Sequence, residues 1–512
     1  MKVFLLVLYF AILVGIGLYC RKHATDVDGF VLGGRNVGAW LTAFAYGTSY
    51  FSAVVFVGYA GQFGWKYGIA ATWAGIGNAL IGSLMAWFIL GRRTRVMTRH
   101  LDTATMPQFF EKRFGSKSLK IGAAIIIFIF MIPYTASLYN GLSRLFGMAF
   151  NIDYSVCILL MAVLTAIYVI AGGYMATAIN DFIQGVVMLA GISAVIYAVL
   201  ESKGGFVAAL DGLARVTDDK VSSTPGIFAS FFGTDPLNLL FVVILTSLGT
   251  WGLPQMVQKF YAIKNEQAIQ KGTVISTLFA FVVAGGCYFL GGFGRLFSDQ
   301  INIAENGYDS VVPTMLSGLS EGMIALVVIL VLSASMSTLS SLVIVSASTL
   351  ALDLIKGSFI KEMSDAKQVF LIRILIVVFI AISAVLALVQ YKSSVNFIAQ
   401  LMGISWGAMA GAFLAPFMYS LYSKKVTTAA CWACFIFGSV LMTANMLIRP
   451  AFPVIMQSPI NSGAIAMLAG LIIVPILSAI TPKPEKNLVD EAFKCYEEKI
   501  LVPLSTSLNS EK

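Results

Sequence analysis

Apolar residues run along this chain in long unbroken blocks, and polar residues gather between them. The blocks fall at roughly 3–20, 38–60, 68–91, 119–148, 154–172, 180–200, 237–258, 272–295, 323–351, 370–390, 394–420, 426–448 and 463–481. Most hold about 20 residues with few charges, the length a helix needs to cross a hydrocarbon core. The pattern predicts an all-α polytopic membrane protein with about 13 transmembrane helices. The first block, Val3–Cys20, lacks the basic leader and small-residue cleavage pattern of a signal peptide and reads as a membrane anchor.

The polar intervals are short except at 201–236, at 296–322 and after Pro484, where the sequence predicts a short surface helix. The chain therefore divides into 1–37 (an extra helix and loop), 38–200 (spans two to six) and the loop 201–236. Then come 237–420 (spans seven to eleven), 421–483 (two further spans) and the tail 484–512. None of these is a soluble domain able to fold alone.

Composition agrees: 58% of residues are hydrophobic and 12% charged, against about 25% charged in soluble domains. The net charge of +9 would suggest nucleic acid in a soluble chain, but here its distribution sets an orientation. Placing the N-terminus outside puts 24 of the 34 Lys and Arg on the cytoplasmic side, Lys259 among them as a loop residue. This is the direction of the positive-inside rule and predicts an outside N-terminus and a cytoplasmic C-terminus. His23 and His100 lie in separate loops, and the pair Cys431 and Cys434 sits alone within an apolar run. No metalloenzyme or redox motif is present, so the chain reads as a non-enzyme.

Two spans carry interruptions. The second reads AYGTSYFSAVVFVGYAGQFG, and the seventh LTSLGTWGLPQMVQKF, with Gly249, Gly252 and Pro254 close together. Glycine loosens a helix and proline removes a backbone donor; in a membrane the freed groups must be buried in protein or line a cavity. The interruptions are five spans apart, the spacing of an inverted-repeat secondary transporter.

The ninth span contains SASMSTLSSLVIVSASTL (333–350), rich in hydroxyls and free of charge. Ser337 shares a helix face with Ser340 and Ser341, with Ala334 and Thr338 on the adjoining stripe. Such neutral oxygens, joined by carbonyls freed at a break, suit a monovalent cation. Asp181 is a rare acid beside a long apolar run, and a carboxylate at membrane depth costs on the order of 3 kcal/mol unless paired. It is read as cation-related.

These residues resemble the sodium:solute symporters, through FVLGGRNVGAWLTAFAYGTSYFSA (30–53), AGGYMATAINDFIQGVVM (171–188), TWGLPQMVQKFYAIK (250–264) and SASMSTLSSL (333–342). The resemblance implies a LeuT-like five-plus-five inverted repeat with two broken helices, in a bacterial plasma membrane, working by alternating access. It implies one or two Na⁺ ions. The first would be held by the carbonyls of Thr48, Phe51 and Ala334 and the hydroxyls of Ser337 and Thr338, the second by Asp181, Ser337, Ser340 and Ser341. The implied cargo is a small organic solute such as proline or pantothenate, with a sugar or sialic acid as alternatives and a sodium channel as the competing class. Candidate solute contacts are Tyr46, Tyr50, Gln62, Tyr134, Asn140, Thr250, Trp251, Gln255 and Trp406, aromatic walls with a few polar groups. Partners beyond solute and lipid, nucleic acid included, are not expected, and the transport unit is expected to be a monomer.

Overall fold

The computed structural model describes residues 2–150, 153–218, 221–222, 224–356, 360, 362–392 and 398–497. Among these residues the chain is a bundle of helices. Nine are long and apolar enough to cross a membrane, or ten if the bent pair Pro236–Gly252 and Pro254–Ala262 is one span. That measure does not reach thirteen, for three physical reasons. The apolar part of the first helix, Leu6–Cys20, is short. The second predicted span is cut after Tyr50, and its later half is counted within the run Val54–His100. The fifth and sixth predicted spans form one helical run of 48 residues, Tyr154–Glu201. A straight helix of that length would measure about 72 Å, more than twice the hydrocarbon thickness. Gly173, at φ 55° and ψ −154°, breaks it into two rods. That left-handed backbone is open to glycine, and a Cβ there would meet the Phe30 carbonyl oxygen at 2.9 Å.

Burial separates core from rim. The helix Ile398–Tyr422 has 94% of its most apolar window buried and the hydroxyl helix, Glu321–Ile355, 72%, whereas Thr428–Ala451 has 33% and Pro459–Ile480 39%. Outward faces carry exposed Phe88, Leu159, Phe281, Val385 and Ile472, side chains suited to lipid.

Glycine lets several helices touch backbone to backbone. A Cβ on Gly64 would lie 1.9 Å from the Gly291 carbonyl oxygen, and one on Gly291 2.1 Å from that of Ala60. The seam continues at Gly75, where a Cβ would fall 2.5 Å from the Gly285 Cα. A second seam joins Gly407 to Gly463, at 2.7 Å on the same measure.

The loops make two groups of contacts. On the basic face, Arg35 pairs with Asp28 at 3.2 Å and donates to the Thr103 carbonyl at 3.0 Å. The tail forms the helix Lys486–Phe493, which lies over this face. Lys424 meets its Asp490 at 2.8 Å, and Arg113 stacks on Phe493 at 4.9 Å. Burial draws the Arg113 guanidinium down to about 10, so it remains charged at neutral pH. On the opposite face, Arg295 pairs with Asp218 at 2.6 Å and donates to the Trp65 carbonyl at 2.7 Å, and Lys203 donates to the Leu296 carbonyl at 2.9 Å.

Candidate functional site

The first broken helix begins as Ala39–Tyr50 and leaves helical geometry at Phe51, φ −102° and ψ 109°. The break strips the last carbonyls of their helical partners. Helix resumes beyond Ser52, and the Ala53 amide donates to Ser335 Oγ on the hydroxyl helix at 3.3 Å. The hydroxyl helix thus satisfies a group that the break sets free.

One turn along, the same two elements bring four oxygens together. Ser337 Oγ lies 3.0 Å from the Thr48 carbonyl oxygen and 3.1 Å from that of Ala334. Thr338 Oγ1 lies 3.2 Å from the first and 3.1 Å from the second. Each hydroxyl has one proton and two acceptors in reach, so two of these four contacts lack a proton. A cation amid the four would organise them all with the protons turned away. The cluster is buried and uncharged, and it contains four of the five residues expected at the first sodium position. The fifth, Phe51, carries its carbonyl at the break itself, with its ring 4.3 Å from that of Tyr50.

The residues expected at a second position are arranged around a group that sequence reasoning placed in a loop. Lys259, on the half-helix Pro254–Ala262, is 1% exposed. Its Nζ donates to Ser341 Oγ at 2.9 Å, stands 3.9 Å from Asp181 Oδ2 and lies 5.0 Å from the centre of the Tyr174 ring. Ser341 Oγ is 2.7 Å from Ser49 Oγ on the first broken helix. Ser340 Oγ donates back to the Ser337 carbonyl at 2.9 Å. Asp181 is fully buried, and neither carboxylate oxygen has a hydrogen-bond partner. The predicted seventh span ended at residue 258, one short of Lys259. The available signal was its place inside a helix restarted by Pro254 and followed by apolar Phe260–Ile263.

Six of the nine expected solute contacts form one aromatic cluster beside the breaks. Tyr50 stacks on Trp406 at 5.7 Å, and Tyr134 meets the same indole edge-on at 5.9 Å. Tyr46 and Thr250 both donate to the Gly82 carbonyl, at 2.8 and 3.1 Å, and Trp251 Nε1 donates to that of Ile81 at 3.0 Å. Tyr50 closes the group with a hydrogen bond to the Thr246 carbonyl. Gln255 follows the second break; it is fully buried, and neither amide atom has a partner. The remaining two stand apart. Asn140 donates to Gln390 Oε1 at 3.1 Å and accepts from the Tyr154 hydroxyl, which ties helix ends together. Gln62 lines a cavity open on the face opposite the basic one.

That cavity holds about 860 Å³ and is bounded by Gln62, Lys66, Asp235, Asn238 and Asn461 among others. On the basic side, the space between Thr105, Met106, Pro254, Tyr261 and Thr349 holds about 10 Å³, at the lower limit for a single water. Thr105 Oγ1 donates to Asp353 Oδ2 at 2.7 Å beside it.

The model of the sodium:solute symporter family matches residues 30–438. The chain is 28% identical over 483 residues to an osmoregulated proline transporter of Bacillus subtilis, covering 94% of each chain. It is 29% identical to a sodium/proline symporter of Staphylococcus saprophyticus, covering 86% of this chain and 84% of that one. Among solved structures it resembles a Na⁺-coupled sialic acid symporter in a substrate-bound outward-open state. The TM-score is 0.76 at 15% identity, over 95% of this chain and 99% of the other, which shows a shared fold. With two broken helices, a buried file of hydroxyls between them and a family match across most of its length, the chain belongs to the sodium:solute symporters, membrane carriers of the LeuT-like fold that couple solute uptake to sodium.

Proposed function

We propose that the protein carries proline, or a closely similar small zwitterionic amino acid, together with sodium. The observation that carries this reading is the convergence of the Thr48 and Ala334 carbonyls with the Ser337 and Thr338 hydroxyls, all within 3.2 Å of one another's partners. Sodium there would hold the first broken helix against the hydroxyl helix and so preform the cluster of Tyr50, Tyr134 and Trp406. The solute's apolar ring would lie against those aromatics. Its carboxylate would face the start of the half-helix Pro254–Ala262, where the helix dipole favours an anion, with the Gln255 amide beside it. The curated proline carriers, related over most of their length, support this cargo.

The basic face is cytoplasmic in this reading, with the N-terminus outside, so the 860 Å³ cavity opens outward. Residues 38–200 and 237–420 form the two repeats, which rock about the site to close that cavity and open the basic side. Each sodium charge carried inward gains about 2.3 kcal/mol per 100 mV of membrane potential.

The test is uptake into proteoliposomes under an inward sodium gradient, with labelled proline, other amino acids, pantothenate and sialic acid run in parallel. Proline should accumulate only with the gradient and be displaced by unlabelled proline. Sodium-driven accumulation of another solute in its place would overturn the cargo, and uptake indifferent to sodium would overturn the coupling site.

A further inference from the structure

The second cation position contains a charge of the protein's own. Lys259 reaches it from the second broken helix, and its ammonium is within bonding distance of Ser341 and faces Asp181 at 3.9 Å, over the Tyr174 ring. Asp181 and Ser341 are two of the four residues that would otherwise hold a second sodium. The other two are already engaged: Ser337 Oγ in the first oxygen cluster and Ser340 Oγ on the Ser337 carbonyl. The pair Asp181 and Lys259 is neutral and at most 1% exposed. A sodium ion added beside it would be repelled by the ammonium at close range, an excess of positive charge that the first oxygen cluster, with no cation of its own, does not face. With Lys259 absent the imbalance reverses. The carboxylate, whose oxygens have no hydrogen-bond partner, would stand uncompensated among serine hydroxyls, a setting that attracts a monovalent cation.

We propose that Lys259 is a built-in cation that takes the place of the second sodium and fixes coupling at one Na⁺ per solute. This rests on the sodium reading given above for the first site. The arrangement also links the two broken helices. The ammonium holds Ser341, and Ser341 holds Ser49, the neighbour of the sodium ligand Thr48. Lys259 therefore does continuously what a second ion would do only when bound.

The experiment counts sodium directly, by ²²Na⁺ binding to the purified protein, and counts charge per labelled proline from reversal potentials in proteoliposomes. The unsubstituted protein should bind about one ion and move about one charge per proline. Lys259→Met, which keeps the stem and removes the charge, should bind about two. Lys259→Arg should bind one, and Lys259→Met combined with Asp181→Asn should return to one. Two ions on the unsubstituted protein, or one on Lys259→Met, overturn the proposal. Should Lys259→Met fail to fold, the counts on the unsubstituted and Lys259→Arg proteins still decide it. An unsubstituted protein that binds no sodium overturns the first site as well, whereas one that binds two leaves that site standing and removes only the role of Lys259.

Discussion

Removing the Ser337 hydroxyl separates a coordinating oxygen from a packing one. In the sodium-free protein Ser337 Oγ can donate to only one of the carbonyls of Thr48 and Ala334, at 3.0 and 3.1 Å. Its loss then removes one neutral hydrogen bond, about 0.5–1.5 kcal/mol. With sodium bound the same oxygen faces a charge, and contacts of that kind contribute about 1.5–3 kcal/mol. The difference between the two states, about 1–1.5 kcal/mol, sets the change in affinity, so Ser337→Ala should raise the sodium concentration for half-maximal uptake by roughly five- to tenfold, at about 1.4 kcal/mol per decade. Thr338→Ala should do the same, and Thr338→Ser, which keeps the oxygen, much less. Ser335 provides the control, because its hydroxyl meets the Ala53 amide at 3.3 Å and stands outside the cluster. Ser335→Ala should lower the melting temperature equally in sodium and in choline, whereas Ser337→Ala should mainly abolish the difference between the two salts. If both variants behave alike, or if the half-saturation of Ser337→Ala is unmoved, the four oxygens are packing groups and the coupling argument fails.

Trp406→Ala should cost about 3–5 kcal/mol of stability and raise the proline KM, because the indole supports both Tyr50 and Tyr134. Trp406→Phe should restore most of the melting temperature. Gly64→Ala drives a Cβ to 1.9 Å from the Gly291 carbonyl oxygen, where no side-chain rotation can relieve the clash; folded yield on size exclusion should fall sharply. Asp353→Ala removes the acceptor of the 2.7 Å bond from Thr105. It should loosen the basic side, which faster maleimide labelling of a Ser348→Cys reporter would reveal. Phe493→Ala withdraws the ring under Arg113; hydrogen exchange across residues 486–493 should speed up while sodium half-saturation holds.

Glycine and proline made the breaks legible, since their backbone effects act locally and need no knowledge of neighbours. The hydroxyl stripe was legible for a similar reason: Ser337 shares a helix face with Ser340 and Ser341, and Thr338 lies on the adjoining stripe, wherever that helix is packed. Lys259 was not. Nothing local separates a lysine at a helix end that snorkels to the interface from one turned inward, and its partner Asp181 is 78 residues away. The partners of Asn140 were not legible either, because a polar residue near a span's end can line a cavity or bond neighbouring helix ends, as Asn140 does with Gln390 and Tyr154. The fifth and sixth spans were legible as separate apolar blocks at 154–172 and 180–200, but not that helix continues on both sides of a single break at Gly173.

The seam where Gly64 meets Gly291 and Gly75 meets Gly285 has an effect on the protein's future as well as its shape. At Gly64, Gly75 and Gly291 no single replacement is mild: even the smallest side chain must displace main-chain atoms, and a reciprocal loss of bulk opposite is impossible when the opposite residue is already glycine. Sequence drift in this carrier is therefore free along the lipid-facing rim and arrested on the seam. A saturation library should display that contrast as two populations with little between them.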